Sequence, residues 1–254
     1  MIISLANSKG GSGKTTVAMI LALTLIDSDY DVCVVDMDPA GNFKAWVDER
    51  EGRGEKAPFA FFYHDGDPDK LQKLITELAE QDASGEGAYD FIILDTEGSA
   101  QSITNYAIIN SDLVIIPIKG DPSEARQAVK LLSNIQTLAD DAGTDIAHYI
   151  AFTDIGDVAV PREKKKIEAE LREHGLPLLD TELRRRQAYK TIKMDGVTLR
   201  ELASGIEIMG GKALDPGRER TKAEQRQLER QKRSAISAIE AGNNFTRAVL
   251  AELT

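Results

Sequence analysis

The most constraining stretch of this chain is Asn7-Ser8-Lys9-Gly10-Gly11-Ser12-Gly13-Lys14-Thr15-Thr16. It lies between the apolar, strand-like run Met1–Ala6 and the helix-period segment Thr15–Ile26. A glycine-rich turn in that setting reads as a phosphate-binding loop. Glycines let backbone N–H groups turn inward around phosphate oxygens, and the following helix adds its positive N-terminal end. Lys14 is spaced to reach the β- and γ-phosphates, and the Thr15 hydroxyl to hold Mg²⁺. The candidate phosphate contacts are Gly10, Gly11, Ser12, Gly13, Lys14, Thr15 and Thr16. A chance match to Gly-Gly-x-Gly-Lys-Ser/Thr arises on the order of once in a thousand chains of this size. The loop also departs from the ordinary G-x-x-x-x-G-K-[ST] pattern. Ser8 stands where a glycine is usual, and a second lysine, Lys9, precedes the paired glycines.

Apolar runs alternate with helix-period segments along the chain. Strands are expected at Ile2–Leu5, Asp31–Asp36, Phe59–Tyr63, Phe91–Asp95, Leu113–Ile118, His148–Phe152 and Leu176–Leu179. Several are continuously apolar, as strands covered on both faces are. Helices are expected at Thr15–Ile26, Pro68–Gln81, Ser102–Ile109, Ser123–Ala139 and Arg162–His174, with Pro68 and Pro161 at or near helix starts. This alternation predicts an α/β fold: a doubly wound, mostly parallel sheet flanked by helices. Composition changes near Ser204. A Gly210-Gly211 turn and Asp215-Pro216-Gly217 precede a charged, helix-like segment, Arg218–Arg233, and Asn243–Leu253 reads as a short closing helix. Residues 1–254 are expected to form one domain, with 205–241 a charged helical appendage within it.

The net charge of −11 disfavours contact with nucleic acid except through a local basic patch. A single cysteine, Cys33, excludes a disulfide framework and fits a reducing cytoplasm; inside an apolar strand it reads as a small buried hydrophobe. His64, His148 and His174 are scattered without zinc-ligand spacing and are expected at the surface or at edges. The N-terminus runs straight into a strand without a signal peptide, and no apolar run approaches the ~18 residues of a membrane span.

Three carboxylates accompany the loop, each at the carboxyl end of an expected strand, where open α/β sheets bind ligands. Asp36 and Asp38 lie in Val34-Val35-Asp36-Met37-Asp38-Pro39-Ala40-Gly41-Asn42, and Asp95 ends Phe91-Ile92-Ile93-Leu94-Asp95. An apolar strand ending in Asp is the arrangement that acts on Mg²⁺ or its water.

Lys9–Thr16, Asp36–Asn42 and the strand ending at Asp95 together resemble the deviant Walker motifs of the ParA/MinD family. The likeness continues through Leu113-Val114-Ile115-Ile116-Pro117 and covers about 200 residues. The resemblance implies a Mg²⁺-dependent ATPase working as a homodimer with ATP sandwiched between subunits. It implies that Lys9 crosses to the partner's nucleotide and that Gly11 lies where the subunits come closest. Asp36 would support Mg²⁺ through water, Asp38 orient the attacking water, and Asp95 be the Walker B carboxylate. Lys9, Lys14 and Asp38 are thus the expected catalytic residues, and Thr15, Asp36 and Asp95 the expected metal site. Non-specific DNA and a stimulating or centromere-binding protein are the implied partners, in a cytoplasmic, nucleoid-associated setting where hydrolysis times the partition or positioning of a plasmid or other cargo.

The chain departs from relatives after Asp95, where it reads Thr96-Glu97-Gly98-Ser99 instead of a Pro-Pro turn. Where partition ATPases carry an Ile-Pro-Arg segment near adenine, it reads Leu183-Arg184-Arg185-Arg186-Gln187-Ala188-Tyr189. The run continuing to Gly196 is more similar to VirC-type ATPases, so a role in conjugative or T-DNA-type transfer stays open beside partition. A metabolic or metal-cluster enzyme of the same superfamily is the other alternative; the cluster form needs paired cysteines, and there is one.

Arg184-Arg185-Arg186 with Lys190 and Lys193 forms a compact basic cluster, and on a helix Arg186, Lys190 and Lys193 share a face. Arg185, Arg186, Lys190 and Lys193 are the expected DNA contacts. A second basic stretch, Arg218–Arg233, is interrupted by Glu219, Glu224 and Glu229 and reads as a solvated helix. The closing segment carries one Arg and one Glu, which argues against a membrane-binding terminus.

Overall fold

Seven strands line up side by side in the order β3-β2-β4-β1-β5-β6-β7, every neighbouring pair parallel, in a computed structural model of the chain. The structure describes residues 1–84, 89–98, 101–156, 162–209 and 212–253. Pro161, Ser99 and the Gly210-Gly211 turn lie outside them. The strands are β1 (Ile2–Leu5), β2 (Val32–Asp36), β3 (Ala60–Tyr63), β4 (Phe91–Asp95), β5 (Leu113–Ile118), β6 (His148–Ile155) and β7 (Leu178–Arg184). The helices are α1 (Lys14–Ile26), α2 (Asn42–Gly52), α3 (Pro68–Ser84), α4 (Gln101–Ile109), α5 (Pro122–Ala142), α6 (Arg162–Glu173), α7 (Gln187–Asp195), α8 (Leu199–Ser204) and α9 (Lys222–Ala251). A two-stranded antiparallel ribbon, β8 (Ile208–Met209) with β9 (Lys212–Ala213), precedes α9.

Successive side chains of a strand point to opposite faces, and both faces of this sheet are buried. Ile3 and Leu5 of β1, Val32 and Val34 of β2, and Leu113 and Ile115 of β5 pack under α1, α2, α7, α8 and α9. The alternate residues face α3–α6: Cys33, Val35, Ile92 and Leu94 meet Leu71, Ile75 and Ile103, while Val114 and Ile116 meet Ala125, Ala128 and Ile135. Cys33 is fully buried and its thiol is pushed up to about 12 by burial, as fits a small core residue. His64 does not sit at the surface: it follows the edge strand β3, is buried, and accepts from the Gly66 amide through Nδ1.

Several elements differ from the expected pattern: α7, α8 and the β8–β9 ribbon have no counterpart among the expected elements, β6 runs on to Ile155, and three further differences have a clear physical reason. β7 starts at Leu178 and runs on to Arg184, beyond the expected Leu176–Leu179, because the mixed stretch Asp180–Arg184 lies on an edge strand with one open side. Helix α2 has no counterpart among the expected helices. It buries Phe43, Trp46, Val47 and Arg50, a helical spacing of apolar faces closed by a cation. Arg50 anchors it by a two-pronged ion pair with Glu201 of α8 (2.8 and 2.9 Å) and a bond to the Gly196 carbonyl (3.1 Å).

The charged segment and the closing helix are one continuous element of 30 residues, α9. Gly242 does not break it. A Cβ there would come within 3.0 Å of Thr24 and 3.2 Å of Ile20, so the glycine lets α9 lie directly on α1. Ala235, Ala238, Phe245 and Val249 on the same helix belong to the main core.

Candidate nucleotide and cation site

The loop after β1 is bent by glycines where other residues would be strained. Gly11 and Gly13 have φ of +77° and +106°, the left-handed region where a Cβ is disfavoured. Gly13 is doubly constrained, since a Cβ would also meet Thr153 Oγ1 at 3.1 Å. That Thr153 hydroxyl donates to the Ser12 carbonyl (3.0 Å) and so ties the loop to β6. Asn7 braces the start: its Nδ2 donates to the Pro117 carbonyl (2.7 Å) and its Oδ1 accepts from the Lys9 amide (2.9 Å). Gly10 and Gly11 are exposed at the rim, Ser12 is buried with an unpartnered hydroxyl, and Thr16 is half-buried.

The two lysines of the loop go to different places. Lys14 is buried at the start of α1, its Nζ donating to the Asn7 carbonyl (3.1 Å). Burial lowers its pKa, while the charges of Asp95, Asp38 and Glu97 work to raise it. Gly98 packs against it: a Cβ there would lie 3.3 Å from Lys14 Nζ and from the Ser8 carbonyl. Lys9 points away, to α5, where its Nζ lies 3.1 Å from Ser123 Oγ and 3.3 Å from Glu124 Oε1.

The carboxylates come from adjacent central strands. Asp95 is the ladder partner of both Leu5 in β1 and Asp36 in β2, so all three sit in one row at the carboxyl edge. Asp95 is fully buried, and among the described residues neither of its oxygens has a hydrogen bond of good geometry, although the Thr15 hydroxyl is close enough to act on it. Burial, reinforced by the charge of Asp36, pushes its pKa up to about 7 against the pull of the Thr15 hydroxyl and Lys14. An orphaned buried carboxylate beside a helix-start hydroxyl fits a divalent cation, which would supply the missing positive charge. Among the described residues no group of three His, Cys, Asp or Glu is placed to hold a metal alone, so such a cation would also need oxygens from a bound phosphate.

Asp36 has a different first task. Its Oδ1 accepts from the Asp38 amide (3.1 Å), and its Oδ2 from Phe43 (3.1 Å) and Lys44 (2.9 Å). It therefore builds the turn that presents Asp38 and anchors the start of α2. Burial raises its pKa although those three amides lower it. Asp38 is half-buried at the cleft, its Oδ1 accepting from the Ala40 amide (2.9 Å) and its carbonyl from Gly41 (2.7 Å).

The basic cluster named as the expected DNA contacts lines this same cleft. A cavity of about 330 Å³ is bounded by Gly13–Val17, Asp38 and Lys119 on one side and by Arg184, Arg185, Arg186, Tyr189, Lys190 and Lys193 on the other. The extension of β7 and the start of α7 carry these residues to the carboxyl edge. Arg185 is paired with Asp154 through two bonds (2.8 and 3.2 Å), and Arg186 donates to Ser237 Oγ of α9 (3.0 Å). Both guanidinium groups thus have a partner within the chain, although the Arg185 side chain stays 59% exposed and Arg186 Nε makes no hydrogen bond among the described residues. Asp154 holds φ at +55°, unusual for a non-glycine residue, and lies 3.6 Å from Lys119. Lys119, Thr153 and Asp154 were missed by sequence reasoning. Lys119 follows β5, and Thr153 and Asp154 lie in the last three residues of β6, close to the positional signal that picked out Asp36 and Asp95.

Asp95 also yields a prediction for the protein without nucleotide and with EDTA. Its pKa is about 7 in the fold against an ordinary value of 3.8, so the native state keeps a proton that the unfolded chain has lost. Stability from this group is intact below about pH 4 and falls as pH rises to about 7. Asp95→Asn should raise stability at pH 8 by about 1–4 kcal/mol and leave it unchanged at pH 4. Thermal melts at the two pH values read this; an equal shift at both contradicts the charge account.

The chain belongs to the CobQ/CobB/MinD/ParA nucleotide-binding domain family, whose model matches residues 3–199. It is similar to the protein ParA of Rhizobium radiobacter, at 28% identity over 203 residues covering 80% of this chain and 86% of the relative. It is also similar to the maintenance of carboxysome distribution protein A of Halothiobacillus neapolitanus, at 26% over 206 residues, 80% and 88% of the two chains. Its fold matches that of a Cyanothece McdA complex with ATP, with a TM-score of 0.59 and 18% identity over 94% of this chain and 96% of that one. Among the described residues no helix is long and apolar enough to cross a membrane.

Proposed function

We propose that this chain is a Mg²⁺-dependent ATPase that dimerises around ATP and partitions or positions a cargo on DNA. The carrying observation is that Lys14 and Thr15 line the cleft and both act on the fully buried carboxylate of Asp95 behind them. The loop amides of Gly10–Thr16 and Lys14 take the phosphates. Thr15 and Asp95 hold Mg²⁺, with Asp36 supporting it through water while its oxygens keep the Asp38 turn in place. Mg²⁺ bound there neutralises charge on the β- and γ-phosphates. Asp38 orients the attacking water, and Lys9 adds positive charge to the nucleotide of the second subunit. Isothermal titration with ATP and Mg²⁺, followed by light scattering, tests binding and dimer formation in one sample. A protein that binds no ATP removes the proposal.

For DNA, a surface other than the first cluster is favoured. Arg185 and Arg186 are paired within the chain, and Lys190 and Lys193 line the cleft, where they suit the base and sugar end of the nucleotide. Lys222, Arg226, Arg230 and Arg233 are all exposed on α9, at helical spacings of four, four and three. They lie opposite the buried Leu228, Ala235 and Ala238, and among the described residues none of the four is ion-paired. In a chain of net charge −11 an unpaired cationic stripe is where a polyanion can be held. Arg226→Glu with Arg230→Glu should weaken binding to unrelated DNA duplexes about equally. The slope of log affinity on log salt should fall by about 0.9 for each phosphate no longer neutralised. Fluorescence anisotropy with Mg²⁺ and ATP measures it. Unchanged affinity in this variant would return the assignment to Lys190 and Lys193.

A further inference from the structure

The position of Lys9 is the least expected feature of the loop. Its side chain is folded onto its own subunit, against the first turn of α5. A helix N-terminus repels a cation, so something specific must hold it there. Three groups do: Ser123 Oγ at 3.1 Å, Glu124 Oε1 at 3.3 Å and Asp121 Oδ1 at 3.9 Å. Glu124 is 3% exposed, and a carboxylate so deep needs compensation. It has two sources, the Lys119 amide, which donates to it in a short bond, and the Lys9 ammonium. Asn7 sets the reach, because it ties the Lys9 amide to the end of β5, from which the chain runs directly to Asp121.

We propose that Asp121 and Glu124 are positioning residues that latch Lys9 in cis and set a threshold for dimer formation. This rests on the dimerising reading above. For Lys9 to reach the nucleotide of a second copy it must leave Glu124, which is then deprived of its counter-charge while still buried. That cost opposes the dimer. The Lys9 side chain is 35% exposed, so the latch is partly screened and can be exchanged for the more highly charged phosphates of ATP. The acid pair thus keeps Lys9 from acting until a second ATP-loaded chain is in place.

The test is the dimer dissociation constant in Mg²⁺ and ATP, from sedimentation or light scattering across protein concentration. Glu124→Gln keeps an oxygen for the Lys119 amide, and Asp121→Asn keeps the cap on the Ser123 amide, so the fold is spared while the charges go. The double variant should dimerise about 5-fold more tightly, with unchanged affinity for a fluorescent ATP analogue in the monomer. Placed on a Lys9→Ala background, the same two changes should have no effect, which a merely structural role would not predict. If the double variant fails to fold, Ser123→Ala, which removes a hydroxyl that accepts from Lys9 and donates to Asp121 and leaves both carboxylates in place, should shift the constant in the same direction by a smaller factor. Equal or weaker dimerisation of the acid variant, with Lys9→Ala still defective, overturns the latch alone. A Lys9→Ala protein that dimerises like wild type overturns the dimer reading and the latch with it.

Discussion

Lys14→Ala is expected to abolish measurable ATP binding. The Lys14 ammonium is buried under Gly98, donates to the Asn7 carbonyl, and is drawn upon by the charges of Asp95 and Asp38. It is the one buried cation at the floor of the cleft among the described residues. Removing it leaves three phosphates facing the carboxylates Asp95, Asp36 and Asp38 with only loop amides to answer them. Removing two charge-assisted hydrogen bonds at about 1.5–3 kcal/mol each corresponds to a fall in affinity of roughly 100-fold or more. Calorimetric titration should therefore show no heat in a range where the wild type saturates. Wild-type affinity in the variant would mean that the phosphates lie elsewhere.

Asp38→Ala should separate binding from turnover. Among the described residues no hydrogen bond joins Asp38 to Lys14 or the loop, on which it acts by charge alone; its carboxylate accepts from the Ala40 amide and faces the cleft. The turn that carries it is held by Asp36, which the substitution leaves in place. ATP affinity and dimer formation should persist, while hydrolysis falls by about 100-fold or more, the usual scale for removing a group that handles the attacking water's proton and orientation. Light scattering should then show a long-lived dimer in ATP. Phosphate release at the wild-type rate would remove Asp38 from the chemistry.

Much of the fold could be read from apolar runs because the sheet is buried on both faces. Ile2–Leu5, Phe91–Asp95 and Leu113–Ile118 appear in the structure with the expected bounds. What escaped follows from partnership that local pattern does not carry. Asp180–Arg184 looks too polar for a strand until its edge position is known. The apolar spacing of Phe43, Trp46, Val47 and Arg50 was present in the sequence, but its polar surroundings hid a helix whose stability comes from Arg50 reaching Glu201. Ala241-Gly242-Asn243-Asn244 reads as a break, yet Gly242 is there for the contact between α9 and α1. At the site, the loop and the strand-end carboxylates were legible because position along a strand dictates which edge they occupy. That the cluster around Arg185 lines the cleft was not legible, because charge density says nothing of which surface it faces. The pairing of Lys9 with Glu124 was invisible, since the two residues lie far apart in the chain and meet only because β1 and β5 are neighbours.

The row formed by Leu5, Asp95 and Asp36 makes the site intolerant of changes in strand length. Its members are spaced by the hydrogen-bond ladder, about 4.8 Å from strand to strand, and not by loops that could be adjusted. An insertion of one residue in Phe91–Asp95 would slide Asp95 by about 3.3 Å and turn its side chain to the other face of the sheet. No compensating change in a loop could restore the pair. Substitutions can therefore retune this chemistry step by step, whereas insertions and deletions are confined to the connections at the opposite edge and to the segment between α8 and α9.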